Sequence, residues 1–176
     1  YAGLSNYDGE RLEQACRILD ELKCPFIINQ NRYSIFDRTI ENNGLKDTAQ
    51  KLKKGIIAFS PLAQGMLTDR YLNGIPDDCR IKTDGRFLSS AALTEEKLSQ
   101  IRALNELAEK RGQTLAEMAL AWILKDGIVS SVLIGASKPS QILDNIKAVK
   151  NTDFSADELV MIDKICDLKQ GDIHTI

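Results

Sequence analysis

Ser131-Val-Leu-Ile-Gly-Ala-Ser-Lys-Pro-Ser-Gln-Ile-Leu-Asp-Asn145 is the stretch of this sequence that decides the fold. Residues 132–134 are apolar and favour a β-strand, whereas Pro139 opens a run in which Ile142, Ile146 and Val149 recur at helical spacing. The stretch therefore predicts a strand, a turn and a helix. Free N–H groups at the start of such a helix, together with Lys138, favour a phosphate. An ordinary turn without a ligand is the alternative interpretation.

The same order of strand and helix is predicted four times along the chain. The predicted strands cover residues 1–5, 26–30, 56–59 and 132–134. Because no hairpin signal separates them, we expect a parallel α/β sheet with right-handed crossovers. Two architectures fit this pattern: a small doubly wound sheet, or half of an eight-unit βα barrel, which takes about 250 residues when complete.

Helix starts and stops are marked by individual residues. Asp8, Thr94 and Thr114 are predicted N-caps, and Ser155 with Glu158 forms a predicted capping box. A further helix is expected over residues 45–54, with the glycine at position 55 as its C-terminal residue. Residues 60–93 lose all periodicity, and a connection of that length is usually functional or disordered.

Composition narrows the class of protein. The chain of 176 residues fits one domain, and its formal net charge of −2, with both signs intermixed, argues against nucleic-acid binding. No apolar run reaches the roughly 18 residues that membrane insertion requires. Because the sequence begins at Tyr1, we expect it to be processed or part of something longer. Its single histidine, His174, is too little for a structural zinc site. The scattered cysteines, which we expect to be reduced thiols in a cytoplasmic protein, are Cys16, Cys24, Cys79 and Cys166.

Polar residues follow the predicted strands at their carboxyl ends. In parallel α/β folds ligands bind at this edge of the sheet, so these residues are expected to share a pocket, although each alone is typical of turns. They are Ser5, Asn6, Asn29, Gln30, Ser60 and Ser137.

Five separated blocks of the sequence resemble the aldo-keto reductase family. They are Gly3-Leu-Ser-Asn6, Asn29-Gln30, Phe59-Ser-Pro-Leu-Ala-Gln-Gly65 with Arg70-Tyr71, Gly74-Ile-Pro76 with Arg80, and Gly135-Ala-Ser-Lys-Pro-Ser-Gln-Ile-Leu-Asp-Asn145. Their order and spacing are most similar to the branch of potassium-channel β subunits and bacterial reductases of glyceraldehyde-type and methylglyoxal-type aldehydes. The resemblance covers essentially the whole chain.

This resemblance implies a TIM-type (βα) barrel that binds NADP(H). Residues 1–176 would be its C-terminal half, strands five to eight with their helices, as one domain. Ser5, Asn6 and Gln30 would hold the nicotinamide carboxamide, and Phe59 would stack on the nicotinamide ring. A loop that closes like a lid would cover the pyrophosphate. The residues expected to lie along the pyrophosphate are Ser60, Leu62, Gln64, Arg70 and Arg80. The adenosine 2′-phosphate would lie by Ser137 and Gln141, and the adenine by Asp144 and Asn145.

The sequence departs from the family pattern in two ways. Many members carry a Lys and an Arg near the 2′-phosphate, where this chain has Gly135 or Ala136 and Gln141, so the choice between NADPH and NADH stays open. The catalytic Asp, Tyr, Lys and His of the family lie in its first four units, and nothing in this chain matches them. Tyr33 stands near a strand end but without a matching Lys, so we assign no catalytic residue.

Three functions remain in contention. The chain is expected to be the cofactor-binding half of a reductase of small aldehydes or ketones, completed by the missing N-terminal half of the barrel or by a second copy. Alternatively, it is an NADPH-binding regulatory subunit or a catalytically inert half-barrel. A half-barrel alone leaves two unpaired strand edges, so it should dimerise, aggregate or be partly molten.

Overall fold

A four-stranded parallel sheet forms the centre of the chain in a computed structural model that describes residues 2–72 and 93–166. Its strands are β1 (Ala2–Ser5), β2 (Phe26–Arg32), β3 (Gly55–Phe59) and β4 (Val129–Val132), in the spatial order β1-β2-β3-β4. Each strand pairs with its neighbour in sequence, all in parallel. The order shows no reversal, which a doubly wound sheet requires, and it corresponds to a sheet wound in one direction, as in a barrel.

Seven α-helices accompany the sheet in the described residues. They are α1 (Gly9–Glu21), α2 (Thr39–Asn42), α3 (Leu45–Lys51), α4 (Glu95–Lys110), α5 (Leu115–Leu124), α6 (Pro139–Ile146) and α7 (Ala156–Ile165). The predicted N-caps of α1, α4, α5 and α7 are confirmed, and α5 and α7 begin with complete capping boxes. These ends were predictable because each cap bonds only to its own first turn.

The fourth strand differs from its prediction. It lies over residues 129–132 and not 132–134, because its register with β3 places Val129 opposite Ile56 and Val132 opposite Ala58. The N–H of Leu133 still donates to the Ala58 carbonyl at 2.8 Å. The predicted strand therefore overlaps β4 only at Val132, and residues 129–131 were missed.

The return from α3 into the sheet also corrects the sequence prediction. The helix ends at Lys51, and Lys53 adopts the left-handed conformation (φ 53°) that was expected of the glycine at position 55. Gly55 instead begins β3, where a Cβ would lie 2.9 Å from the Ser130 hydroxyl oxygen. A larger residue at this position would require the Ser130 side chain to move. The short helix α2 lies in a segment expected to be irregular.

The hydrophobic core lies between the sheet and the helices, with α5 at its centre. Trp122 of α5 is buried, and its ring centroid lies 5.2 Å from that of Tyr33. By contrast, no residue of α6 is buried. Its apolar stripe, with the segment that follows, is exposed at Ile142, Leu143, Ile146 and Val149.

Other sequence expectations concern cysteines and membranes. Cys16, Cys24 and Cys166 carry free thiols, as expected, whereas Cys79 lies outside the described residues. Burial of Cys16 raises the pKa of its thiol. Among the helices of residues 2–72 and 93–166, none combines the length and the apolar character needed to cross a lipid bilayer.

Candidate functional site

The carboxyl ends of β1 and β2 bring together the three residues predicted to hold the nicotinamide. Ser5 lies opposite Gln30 in the strand register, and the N–H of Asn6 donates to the Gln30 carbonyl at 2.9 Å. Asn6 adopts the left-handed conformation (φ 59°), which turns the chain at the end of the strand. The Ser5 hydroxyl and the side-chain amides of Asn6 and Gln30 thus belong to adjacent positions at the carboxyl ends of two neighbouring strands.

Two buried asparagines of β2 hold the loop that carries Asn6. The side-chain amides of Asn29 and Asn31 both donate to the Tyr7 carbonyl, at 3.4 and 3.1 Å. Asn29 is fully buried, so its side chain is not exposed at the surface. Sequence reasoning missed this pair, although two asparagines at i and i+2 lie on the same face of a strand. Neither side-chain oxygen has a hydrogen-bond partner in the structure.

The loop after β3 has an unusual backbone. Ser60, Ala63 and Gln64 have positive φ angles of 53°, 47° and 59°, and Gly65 follows at 95°. Such conformations cost free energy and concentrate at functional sites. Gln64 donates to the Ser60 hydroxyl at 3.2 Å, so two of the predicted pyrophosphate residues are in contact.

Phe59 and Leu62 frame this loop. Phe59 is the last residue of β3 and is half-buried. The Arg32 guanidinium lies 5.9 Å from the centroid of its ring. The Leu62 side chain is partly buried and packs against the hydrophobic core. Arg70 lies exposed in a short 3-10 turn, Asp69–Tyr71, whereas Arg80 lies outside the described residues.

The start of α6 is capped by its own side chain. The Gln141 side-chain oxygen accepts hydrogen bonds from the Ser137 N–H (2.8 Å), the Ser137 hydroxyl (3.2 Å) and the Lys138 N–H (3.1 Å). Ser137 and Gln141 are therefore adjacent, as their shared role predicts. However, the N–H groups of Ser137 and Lys138, expected to be free for a phosphate, are occupied.

The predicted adenine residues lie one turn further along α6. Asp144 is exposed and accepts a hydrogen bond from the Lys147 ammonium at 2.8 Å, which raises the pKa of Lys147. Asn145 is half-buried. Among the described residues neither is hydrogen-bonded to Gln141, and both lie about one helical turn beyond it.

The predicted cofactor residues lie on an open surface of the described chain. Two cavities, of about 380 and 280 Å³, lie elsewhere, and neither is lined by any of these residues. The larger lies beside α2, and the smaller at the amino ends of β3 and β4.

Tyr33 contacts a lysine that sequence motifs did not reveal. Its hydroxyl donates to Glu41 and accepts a hydrogen bond from the Lys125 ammonium at 3.4 Å. A catalytic tyrosine needs a lowered pKa and access to substrate. Tyr33 is fully buried, and burial together with the Glu41 carboxylate raises its pKa far above the usual range. This tyrosine therefore has the properties of a packing residue.

Comparison with known proteins identifies the family. The chain is 47% identical over 167 residues to the L-glyceraldehyde 3-phosphate reductases of Escherichia coli O157:H7 and strain K12, covering 93% of this chain and 48% of each relative. It is 31% identical over 168 residues to the "Probable voltage-gated potassium channel subunit beta" of Oryza sativa subsp. japonica, covering 94% of this chain and 51% of that protein. The chain thus spans about half the length of these curated relatives. The model of the "Aldo/keto reductase family" matches residues 1–167 of the chain. The chain therefore belongs to the aldo-keto reductase family.

Proposed function

We propose that this chain forms strands five to eight of a TIM-type barrel and binds NADPH, and that the complete barrel reduces small aldehydes or ketones. The proposal rests on the meeting of Ser5, Asn6 and Gln30 at the edge between β1 and β2. Family membership supports the barrel, and the winding of the four strands in one direction agrees with it.

The donor set at this edge suits a nicotinamide carboxamide. That group presents one carbonyl acceptor and one NH₂ donor, and the amides of Asn6 and Gln30 can each donate and accept. The Ser5 hydroxyl can do either. Because Asn29 and Asn31 hold the neighbouring loop from below, these groups are positioned before a ligand arrives. NADPH would supply the hydride, while these residues would orient its ring, with Phe59 as the stacking surface.

The phosphates would be bound by the loops after β3 and β4. Ser60, Gln64 and Arg70 supply a hydroxyl, an amide and a charge on the first loop. On the second, a phosphate must displace the Gln141 side-chain oxygen, because both bind the same N–H groups. Lys138 is the adjacent cation, and it favours the additional 2′-phosphate of NADPH.

Turnover requires a proton donor from outside the described residues. Hydride transfer to a carbonyl carbon leaves charge on its oxygen, which a positioned acid must protonate. We propose that the first half of the barrel supplies this acid and closes the cleft. A second copy of the chain could close the barrel in the same way but would not supply the family's catalytic residues.

The test has a binding step and a turnover step. NADPH titration followed by nicotinamide fluorescence should give a dissociation constant that rises about tenfold or more in Asn6→Leu and Gln30→Leu, since each removes a hydrogen-bonding group. Gln14→Leu, an exposed change on α1, is the matched control and should bind as the wild type does. Equal binding by all variants would contradict the site.

Turnover should appear only when the first half of the barrel is present. Loss of nicotinamide absorbance with glyceraldehyde would then be steady. Binding without turnover in that mixture would favour the regulatory subunit, to which the similarity with a potassium channel subunit points. Absence of NADPH binding in the same mixture would favour the catalytically inert half-barrel.

A further inference from the structure

Lys125 follows the end of α5 and lies between two aromatic rings. Its ammonium nitrogen is 3.6 Å from the centroid of the Trp122 ring and 3.4 Å from the Tyr33 hydroxyl oxygen. The side chain is half-buried, while both aromatic residues are buried. The nitrogen is thus in direct contact with the aromatic surface.

The carboxylates near Lys125 are bonded to other side chains and do not form an ion pair with it. Asp126 is bonded to the Lys46 ammonium at 2.5 Å, and Glu41 accepts a hydrogen bond from the Tyr33 hydroxyl. Among the described residues, no carboxylate oxygen lies within 4 Å of the Lys125 nitrogen.

The third cation of this cluster is already paired. The Arg38 guanidinium contacts Asp163 of α7 at 2.7 Å and Glu41 of α2 at 3.9 Å. Asp163 is thereby paired with Arg38. The groups that face Lys125 across α2, α3 and the loops are therefore two cations, two partly compensated carboxylates and a neutral phenol.

Desolvation and neighbouring positive charge favour the neutral amine. Burial, followed by the charge of Lys46, lowers the pKa of Lys125 to about 8. At pH 7.5 roughly a quarter of such an amine is unprotonated, compared with about 0.1% for a lysine of ordinary pKa. Lysines that form Schiff bases are activated in this way, by an apolar environment or an adjacent cation.

We propose that Lys125 is a modification site for small aldehydes, which its side-chain nitrogen attacks to form an imine. The neutral nitrogen bonds to the carbonyl carbon and loses its two protons in turn, the carbonyl oxygen takes up two protons, and that oxygen leaves as water. No oxidation or reduction occurs. The packed rings of Trp122 and Tyr33 restrict the reaction to small aldehydes. Because it needs no cofactor, this site can be tested whether or not the proposed reductase activity holds.

Trapping with a reductant tests the proposal. The full chain is treated at pH 7.5 with acetaldehyde and cyanoborohydride, which reduces the imine to a stable amine, and each lysine is quantified by peptide mass mapping. Lys54 is the matched internal control: it is also half-buried and lies 5.3 Å from the Phe26 ring centroid, but it donates a 2.8 Å hydrogen bond to the Phe26 carbonyl. Lys125 should be alkylated at least tenfold faster than Lys54. Equal rates would overturn the proposal.

The pH profile and one variant check the cause. A lowered pKa means that the alkylation rate of Lys125 should reach half of its maximum near pH 8. Lys46→Gln removes the neighbouring cation and releases Asp126, and both changes should raise the pKa of Lys125 and slow its alkylation several-fold at pH 7.5. An unchanged rate in a variant that keeps its far-UV circular dichroism would contradict the electrostatic explanation. If that variant does not fold, the wild-type pH profile decides.

Discussion

Arg111 joins the end of α4 to the segment before α7. Its guanidinium contacts Glu158 at 2.6 Å and the Gln113 side chain at 2.9 Å, and it donates to the Asp153 carbonyl at 2.9 Å. Its carbon lies 3.7 Å from the centroid of the Phe154 ring, and the side chain is only 4% exposed. A planar group with donors in several directions is needed to satisfy all these partners at once.

We predict that Arg111→Lys lowers the free energy of unfolding by about 3 kcal/mol, because an ammonium leaves buried acceptors unpaired. Urea denaturation under conditions in which the protein stays monodisperse measures this loss. Arg102→Lys, an exposed change on α4, should shift stability by no more than about 0.5 kcal/mol. A loss as small at position 111 would mean that one cation of either shape is enough.

At the scale of elements, α1 and α3 approach each other at a glycine. A Cβ on Gly9 would lie 2.5 Å from the Gly44 carbonyl oxygen and 2.8 Å from the Thr48 hydroxyl oxygen. The Gly9 N–H also donates to the Asn43 carbonyl at 3.1 Å. The start of α1, just after the candidate nicotinamide residues, is therefore fixed against backbone atoms that cannot move aside as a side chain would.

Gly9→Ala should destabilise the protein by about 2 kcal/mol, although alanine is the better helix former by up to about 1 kcal/mol. Thermal unfolding followed by circular dichroism measures the change. Gly3→Ala is the control, because a Cβ there meets no atom within 4 Å. Stabilisation at position 9 would show that the two helices can separate without cost.

Features of these elements that depend only on residues close by in the sequence could be predicted, whereas features that depend on distant residues could not. The caps by Asp8, Thr114 and Ser155 follow from neighbouring residues, so the sequence predicted them. The bounds of β4 depend on its register with β3, and the Gln141 cap depends on a side-chain conformation, so both were missed.

The site was predictable to a similar degree. Resemblance predicted the adjacency of Ser5, Asn6 and Gln30, which the parallel register between β1 and β2 brings about. The contact between Tyr33 and Lys125 joins residues 92 positions apart, and no local pattern encodes it.

At the scale of the whole molecule, the described sheet has two edge strands, β1 and β4. Among the described strands, β1 and β4 each pair on one side only, and apolar side chains are exposed at α1 and α6, the helices that follow these strands in the chain. These exposed residues are Ile18 on α1, Leu22 directly after it, and Ile142 and Ile146 on α6. Unpaired edges next to apolar surface favour association with another chain.

We therefore predict that the isolated chain associates, and that adding the first half of the barrel suppresses this. Sedimentation velocity over a range of concentrations measures the association. Ile146→Lys, at the exposed end of α6, should reduce it, whereas Met161→Lys on α7 should not. An isolated wild-type monomer with sharp cooperative unfolding would contradict the prediction.

The pairing of strands in sequence order also bears on how the chain reaches this structure during synthesis. Leu4 pairs with Asn29 and Asn29 with Ile56, whereas Ile56 pairs with Val129, almost three times as far along the chain. Closing the longer loop costs about 1 kcal/mol more in chain entropy. The first three strands should therefore assemble while the rest of the polypeptide is still being made. The fourth strand would then add to a template that already exists, and no earlier pairing would have to be broken to admit it.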